Sequence, residues 1–232
     1  MSSGNVYETL FKQWASVGKF LVDGKRDPKE VSDVLQAIID GKKLVEAKPT
    51  SSKKLLADWI KFYKEVFGLE LDFSGIKIPD SKPGFDRLLV VAQGMTPQRL
   101  FDKCKELFPS WKYTDKSLDE VIKSDRTGEN GHYAIWARDR VEADEENKNR
   151  SADFLRQRET PEITLEEREL YELKFFKETG EHLDMKNWTL CAGSRNSDGD
   201  VPSAFWDDGR FRVSWNYASN HYDDLRSRSV VS

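Results

Sequence analysis

Between Ser203 and Tyr217, apolar and polar residues alternate on both sides of Asp208-Gly209. Asp-Gly between two alternating runs favours a two-residue type I′ turn, whose twist matches that of the flanking strands. In the register this turn sets, Trp206 lies opposite Phe211 and Ala204 opposite Val213, with Trp215 on the same face. Cross-strand apolar pairs of this kind are what a buried sheet face requires. The C-terminal part of the chain therefore has to build a sheet with one side against a core.

Upstream the period changes. Val6, Leu10, Phe11, Trp14, Val17 and Leu21 recur at helical spacing, with Gly24 as a stop. Asp27-Pro28-Lys29-Glu30 restarts a helix, with Asp27 as cap and Pro28 in the first turn. Val31, Val34, Leu35, Ile38 and Ile39 form its apolar stripe, and Gly41 closes it. A polar linker over 42–52 leads to a third helix carrying Leu55, Leu56, Trp59, Ile60, Tyr63, Val66 and Phe67, which ends at Gly68. Beyond Gly68 the alternation of Leu69, Leu71 and Phe73 predicts a half-exposed strand, and the apolar run 87–92 a strand covered on both faces. Thr96-Pro97, Ser117 with Glu120, and Thr164 with Glu167 each open a helix, and His132–Val141 and 188–192 read as further strands. The fold class is α+β: an N-terminal helical region of about three helices, then a mixed, largely antiparallel sheet with flanking helices. The expected division is a helical region over 1–68 and an α+β domain over 69–232.

The chain has 232 residues, 38% of them hydrophobic, with 13 Phe, 7 Tyr and 7 Trp. That supports a sizeable core and argues against disorder, since large apolar groups offset the entropy of ordering the chain. The net charge of −4 lacks the basic balance that phosphate neutralisation along nucleic acid favours. Cys104 and Cys191 lie far apart and read as two reduced, buried thiols. Tyr7, Glu8, Lys12 and Gln13 interrupt any leader-like apolar run, and no run is long enough for a membrane span. A cytoplasmic protein without membrane attachment is expected.

Two stretches suggest a divalent cation. In Asn196-Ser-Asp198-Gly-Asp200, oxygen-bearing side chains alternate as in hard-cation loops, but the glycine is misplaced and a distal bidentate Glu is missing. The same residues serve a plain turn between strands. Asp139 would point to the core side if its strand persists past Ala137, where burial would perturb its acidity. Otherwise it belongs to a solvated edge that blunts strand pairing. Asp139, Glu142, Asp198 and Asp200 are thus the candidates for a metal-assisted hydrolase or nuclease. No other cofactor is implied. His132, His182 and His221 share no metal-ligand spacing, and Cys191 lacks a histidine nearby in sequence.

The outer side of the hairpin suggests binding. Phe205 sits opposite Arg212, Arg210 is close, and the tail adds His221, Tyr222, Arg226 and Arg228. Arginines interleaved with aromatics stack and form forked hydrogen bonds, suiting a protein or nucleic-acid partner. The leading functional expectation is a binding or interaction protein using Phe205, Arg210, Arg212, Arg226 and Arg228.

Gly131-His-Tyr-Ala-Ile-Trp-Ala-Arg-Asp139, Trp188-Thr-Leu-Cys-Ala-Gly-Ser-Arg195, Ser197-Asp-Gly-Asp-Val-Pro202 and Leu225-Arg-Ser-Arg-Ser-Val-Val-Ser232 resemble a group of small uncharacterised bacterial proteins. Asp27-Pro-Lys-Glu-Val31 with Val34-Leu-Gln-Ala-Ile38 resembles their helical opening. The resemblance implies a bacterial cytosolic origin. It implies no activity and no site residue.

Overall fold

The computed structural model describes residues 11, 14–19, 21–22, 28–40, 52–158 and 160–232. The chain divides into two compact units, Met1–Ser51 and Ser52–Ser232. In the first unit residues 14–19 and 21–22 are helical, and α1 spans Pro28–Ile39 with Pro28 in its first turn. The Asp27 cap, the stops at Gly24 and Gly41 and the linker as far as residue 51 lie outside the described residues.

The second unit opens with α2, Ser52–Phe67, which ends where Gly68 turns left-handed at φ 67°. Its aromatic stripe is held by hydrogen bonds as well as by packing. Trp59 Nε1 donates to the Leu88 carbonyl at 3.1 Å. Tyr63 Oη donates to the Val90 carbonyl at 2.7 Å and accepts from Ala92 N at 3.0 Å. All three partners lie in or beside β1, Arg87–Val91, so the third helix belongs to the sheet-bearing unit.

β1 pairs antiparallel with β4, Tyr133–Ala137, with Leu89 opposite Ile135. Leu88 to Ala92 are all buried, as expected of a strand covered on both faces. Between these strands come α3 (Pro97–Leu107), capped by Thr96, then β2 (Ser110–Lys112), α4 (Leu118–Val121) and β3 (Ile122–Ser124). A 3₁₀ turn at Glu145–Asn147 and the short α5, Ala152–Gln157, precede α6, Leu165–Thr179. β5 (Trp188–Leu190), β6 (Ser194–Asn196), β7 (Val201–Asp207), β8 (Arg210–Asn216) and β9 (Leu225–Arg226) complete the unit. The main sheet has the order β2-β8-β7-β5-β9, and β3 pairs separately with β6. The β7–β8 hairpin has the expected register, Trp206 opposite Phe211 and Ala204 opposite Val213. Asp208 and Gly209 both take positive φ, 50° and 69°, as the type I′ turn demands.

Two expected strands differ. Residues 69–73 form no ladder: Phe73 is buried and Leu69 and Leu71 pack on the core, but the backbone turns away. Asp72 Oδ1 accepts from Ser74 N at 2.8 Å and Ile76 N donates to the Phe73 carbonyl. Alternating burial arises here without a partner strand. The strand expected over 132–141 ends at Ala137, because Arg140 N turns back onto the Arg138 carbonyl at 3.0 Å.

The central element is α6, which packs on α3, β1 and β7. Thr164 and Glu167 form the expected capping box, and Gly180 ends the helix at φ 73°. Leu170, Leu173 and Phe176 face the core as the periodicity requires, but the helix has no solvated side. Every residue from Leu165 to Lys174 is buried, including Glu166, Glu167, Arg168, Glu169 and Glu172. Residues 228–231 then thread beside it. Ile163 N donates to the Arg228 carbonyl, and Trp136 and Val231 exchange both backbone hydrogen bonds.

Candidate functional site

The strand registers align one row of side chains across the outer side of the main sheet. Trp111 of β2 pairs with Arg212 of β8, which pairs with Phe205 of β7. Phe205 stacks on Trp188 of β5, with ring centroids 4.3 Å apart and planes 9° from parallel. Trp188 in turn pairs with Leu225 of β9. Strands place paired residues on the same face, so a parallel edge strand, a hairpin and a crossover together produce a continuous aromatic and arginine row. Leu190, Val201 and Leu225 on the same side pack with Ala152 of α5. Away from α5 the row stays accessible, and Trp111, 41% exposed, carries the Arg212 guanidinium over its ring at 5.7 Å.

Charge on this face is compensated locally. Arg212 lies 3.3 Å from Asp207 and 3.6 Å from Asp208, and Arg210 lies 3.0 Å from Asp208. Arg226, paired with Thr189 and so turned to the opposite side of the sheet from Leu225, reaches Glu145 at 2.5 Å. The expected surface role of Arg228 is corrected. Its side chain is buried, donating to Asp184, to Thr189 and to the Arg140 and Val141 carbonyls. It lies two residues past β9, against Thr189 of β5, where no partner reaches it. Phe205 is also buried, supporting the row from within rather than at its surface.

The acidic candidates do not share a site. Asp139 lies beyond the end of β4, half-exposed, accepting from Tyr171 Oη at 3.2 Å and 4.0 Å from Arg87. Glu142 accepts from Asn187. Asp198 and Asp200 lie in the β6–β7 turn, where Asn196 Oδ1 accepts from both of their backbone N–H groups at 2.9 and 2.8 Å. That is the hydrogen bonding of an Asx turn. Among the described residues, no group of three or more His, Cys, Asp or Glu is arranged to hold a metal ion.

A second concentration of polar groups surrounds α6. Arg168 donates to Glu172 at 2.8 Å and to Asp184 at 2.9 Å, and His182 Nδ1 meets Glu172 at 2.8 Å. The His182 ring lies flat on Trp206, 3.4 Å between centroids. Arg126 grips Glu167 through two bonds of 2.8 Å. Ser124 Oγ donates to Glu166 at 2.7 Å and lies 2.7 Å from Ser194 Oγ. Burial pushes the Glu166 carboxyl up to about 7 and raises Glu169, whose oxygens have no partner among the described residues, well above the ordinary range. Arg126 separates two cavities, one of about 720 Å³ beside Lys77, His132 and Tyr133, and one of about 280 Å³ beside Arg156 and Arg195. Sequence reasoning passed over these residues. The one available signal was that the apolar positions Leu165, Leu170, Tyr171 and Leu173 fall around the whole helix axis rather than on one stripe.

Among the described residues no helix is long and apolar enough to cross a membrane. Compared with protein-family models, with curated proteins and with solved structures, the chain matches none.

Proposed function

We propose that this is a binding protein that engages a protein partner through the outer face of its C-terminal sheet. The observation that carries the reading is the Trp111–Arg212–Phe205–Trp188 row, continuous across four strands and open at Trp111. Tryptophan and arginine on a rigid, well-packed support are the residue types that dominate protein interfaces. A protein partner fits better than nucleic acid because Asp207 and Asp208 neutralise Arg210 and Arg212, leaving no positive track for a phosphate backbone. Cys104 and Cys191 are buried free thiols, which suits a reducing compartment, and we assign the protein to the cytoplasm.

The test is quantitative cross-linking capture with the wild-type chain and with Trp111→Ala/Arg212→Ala, a pair outside the core. A partner captured by the wild type and reduced at least tenfold by the double variant supports the reading. Identical capture by both chains removes the face from consideration. Saturable binding of a single-stranded oligonucleotide that the double variant loses would replace the protein partner with nucleic acid.

A further inference from the structure

The cavity of about 280 Å³ is lined by arginines from three separate elements, Arg126 from the β3–β4 connection, Arg156 from α5 and Arg195 from β6, together with Asp125 and Glu162. The arginine charges are not equally compensated. Arg126 is taken up by Glu167 and by the Glu162 carbonyl at 2.6 Å. Arg195 has no carboxylate within ion-pair distance among the described residues. Its Nη1 donates at 2.7 Å to the carbonyls of Ala192 and of Ser194, which fix the plane of the group and leave Nε and Nη2 without a described partner. The Arg156 side chain makes no hydrogen bond or ion pair with a described residue and stands exposed on α5.

The Arg156 and Arg195 guanidiniums line one concavity without an ion-pair partner and repel each other, a repulsion that Asp125 reduces without forming a salt bridge. Burial, and after it the charge of Arg156, pulls Arg195 below the ordinary guanidinium value, while Asp125 and Asp153 oppose that shift. An anion between the two groups would reverse the repulsion. A carboxylate satisfies one planar fork, whereas a tetrahedral phosphate offers enough acceptor oxygens for two. The volume suits a phosphate with a small substituent.

We propose that this cavity is a binding site for a phosphate group, free or as a small monoester, held between the forks of Arg156 and Arg195 with Arg126 as the supporting wall. The site is independent of the sheet-face interaction.

The test is calorimetric titration with inorganic phosphate and with glycerol phosphate, sodium chloride keeping ionic strength constant. Wild type is expected to bind at least one of the two saturably. Arg156→Gln and Arg195→Gln are each expected to weaken binding at least tenfold, and Lys61→Gln on α2 to leave it unchanged. Tighter binding of glycerol phosphate identifies the ligand as an ester, and equal or weaker binding identifies the free anion. Both results uphold the site. Absence of saturable binding by wild type, or affinity unchanged in Arg156→Gln, overturns it. Arg156 is exposed, so that variant retains its fold and decides the matter even where Arg195→Gln does not fold.

Discussion

Arg168 Nε donates to Asp184 Oδ2 at 2.9 Å, and neither side chain reaches solvent. The other carboxylate oxygen accepts from Arg228 at 2.7 Å, so one acid joins two buried cations from α6 and from the C-terminal segment. Asp184 takes a left-handed φ of 55°, which asparagine also tolerates. Asp184→Asn therefore removes the charge without straining the backbone. It leaves the buried Arg228 without a carboxylate and Arg168 with Glu172 alone, and should cost about 3–5 kcal/mol of unfolding free energy. Urea denaturation measures it, and a loss within experimental error of zero would show that the acid does not organise this core.

Stability should fall as pH rises through neutrality. Burial pushes Glu162 and Glu166 up to about 7, and raises Glu169 well above the ordinary range. An unfolded carboxyl releases its proton near its ordinary value of about 4.3. Between that value and neutrality the folded chain holds protons that the unfolded chain has lost. The stabilisation is thus present in acid and lost as pH rises, with a slope of up to about 1.4 kcal/mol per pH unit for each group. Glu146, held at about 2 by Arg140, has the opposite dependence, but it acts only below the unfolded carboxyl range. Urea midpoints between pH 5 and 8 should decline for wild type and flatten for Glu162→Gln/Glu166→Gln. Parallel curves for the two proteins would contradict the assignment.

Gly193 stands against the segment that α6 starts from. A Cβ there would lie 2.5 Å from the Glu162 carbonyl oxygen and 3.1 Å from that of Ile163, both backbone atoms. Gly193→Ala must push β6 away from the 161–163 strip. A loss of about 1–3 kcal/mol is expected, the usual range for overpacking, and thermal unfolding reads it as a lowered Tm.

Both thiols should be inert in the folded protein. Cys104 and Cys191 are wholly buried, and burial raises each thiol well above its ordinary value. Thiolate is the reactive form. Iodoacetamide at mild alkaline pH should leave the native chain unlabelled and add two groups in denaturant, counted by mass spectrometry. Rapid labelling of the native chain at either position would be inconsistent with this packing.

The hairpin was legible because its information is local. Asp208-Gly209 sets the turn, and the turn sets the partners of Trp206 and Ala204. The α6 cap at Thr164 and Glu167 was equally local. What lies around α6 was not. The sequence assigned no role to Glu172 and Arg168, which His182 and Asp184 reach from later in the chain, nor to Glu167 beyond the cap, where Arg126 also binds it. Arg228 read as one surface arginine among several in a polar tail, yet its direction is set by Thr189, Asp184 and the Arg140 and Val141 carbonyls, which no local pattern announces. In the hairpin face, Phe205 and Arg212 were legible, whereas Trp111 joined them only through the parallel edge strand β2.

The threading of residues 228–231 bears on how this chain reaches its native state. Arg228 finds the Arg140 carbonyl 88 positions earlier, Ser229 finds Asp144 across 85 and Glu162 across 67. Loops of that length close late, because their entropy is lost before their contacts reward it. Until they close, Asp184 faces Arg168 without Arg228, and β4 lacks Val231 at its edge. Slow, late ordering of the C-terminal segment would leave that strand edge open for part of folding, and pairing with another chain at that edge is the natural competitor.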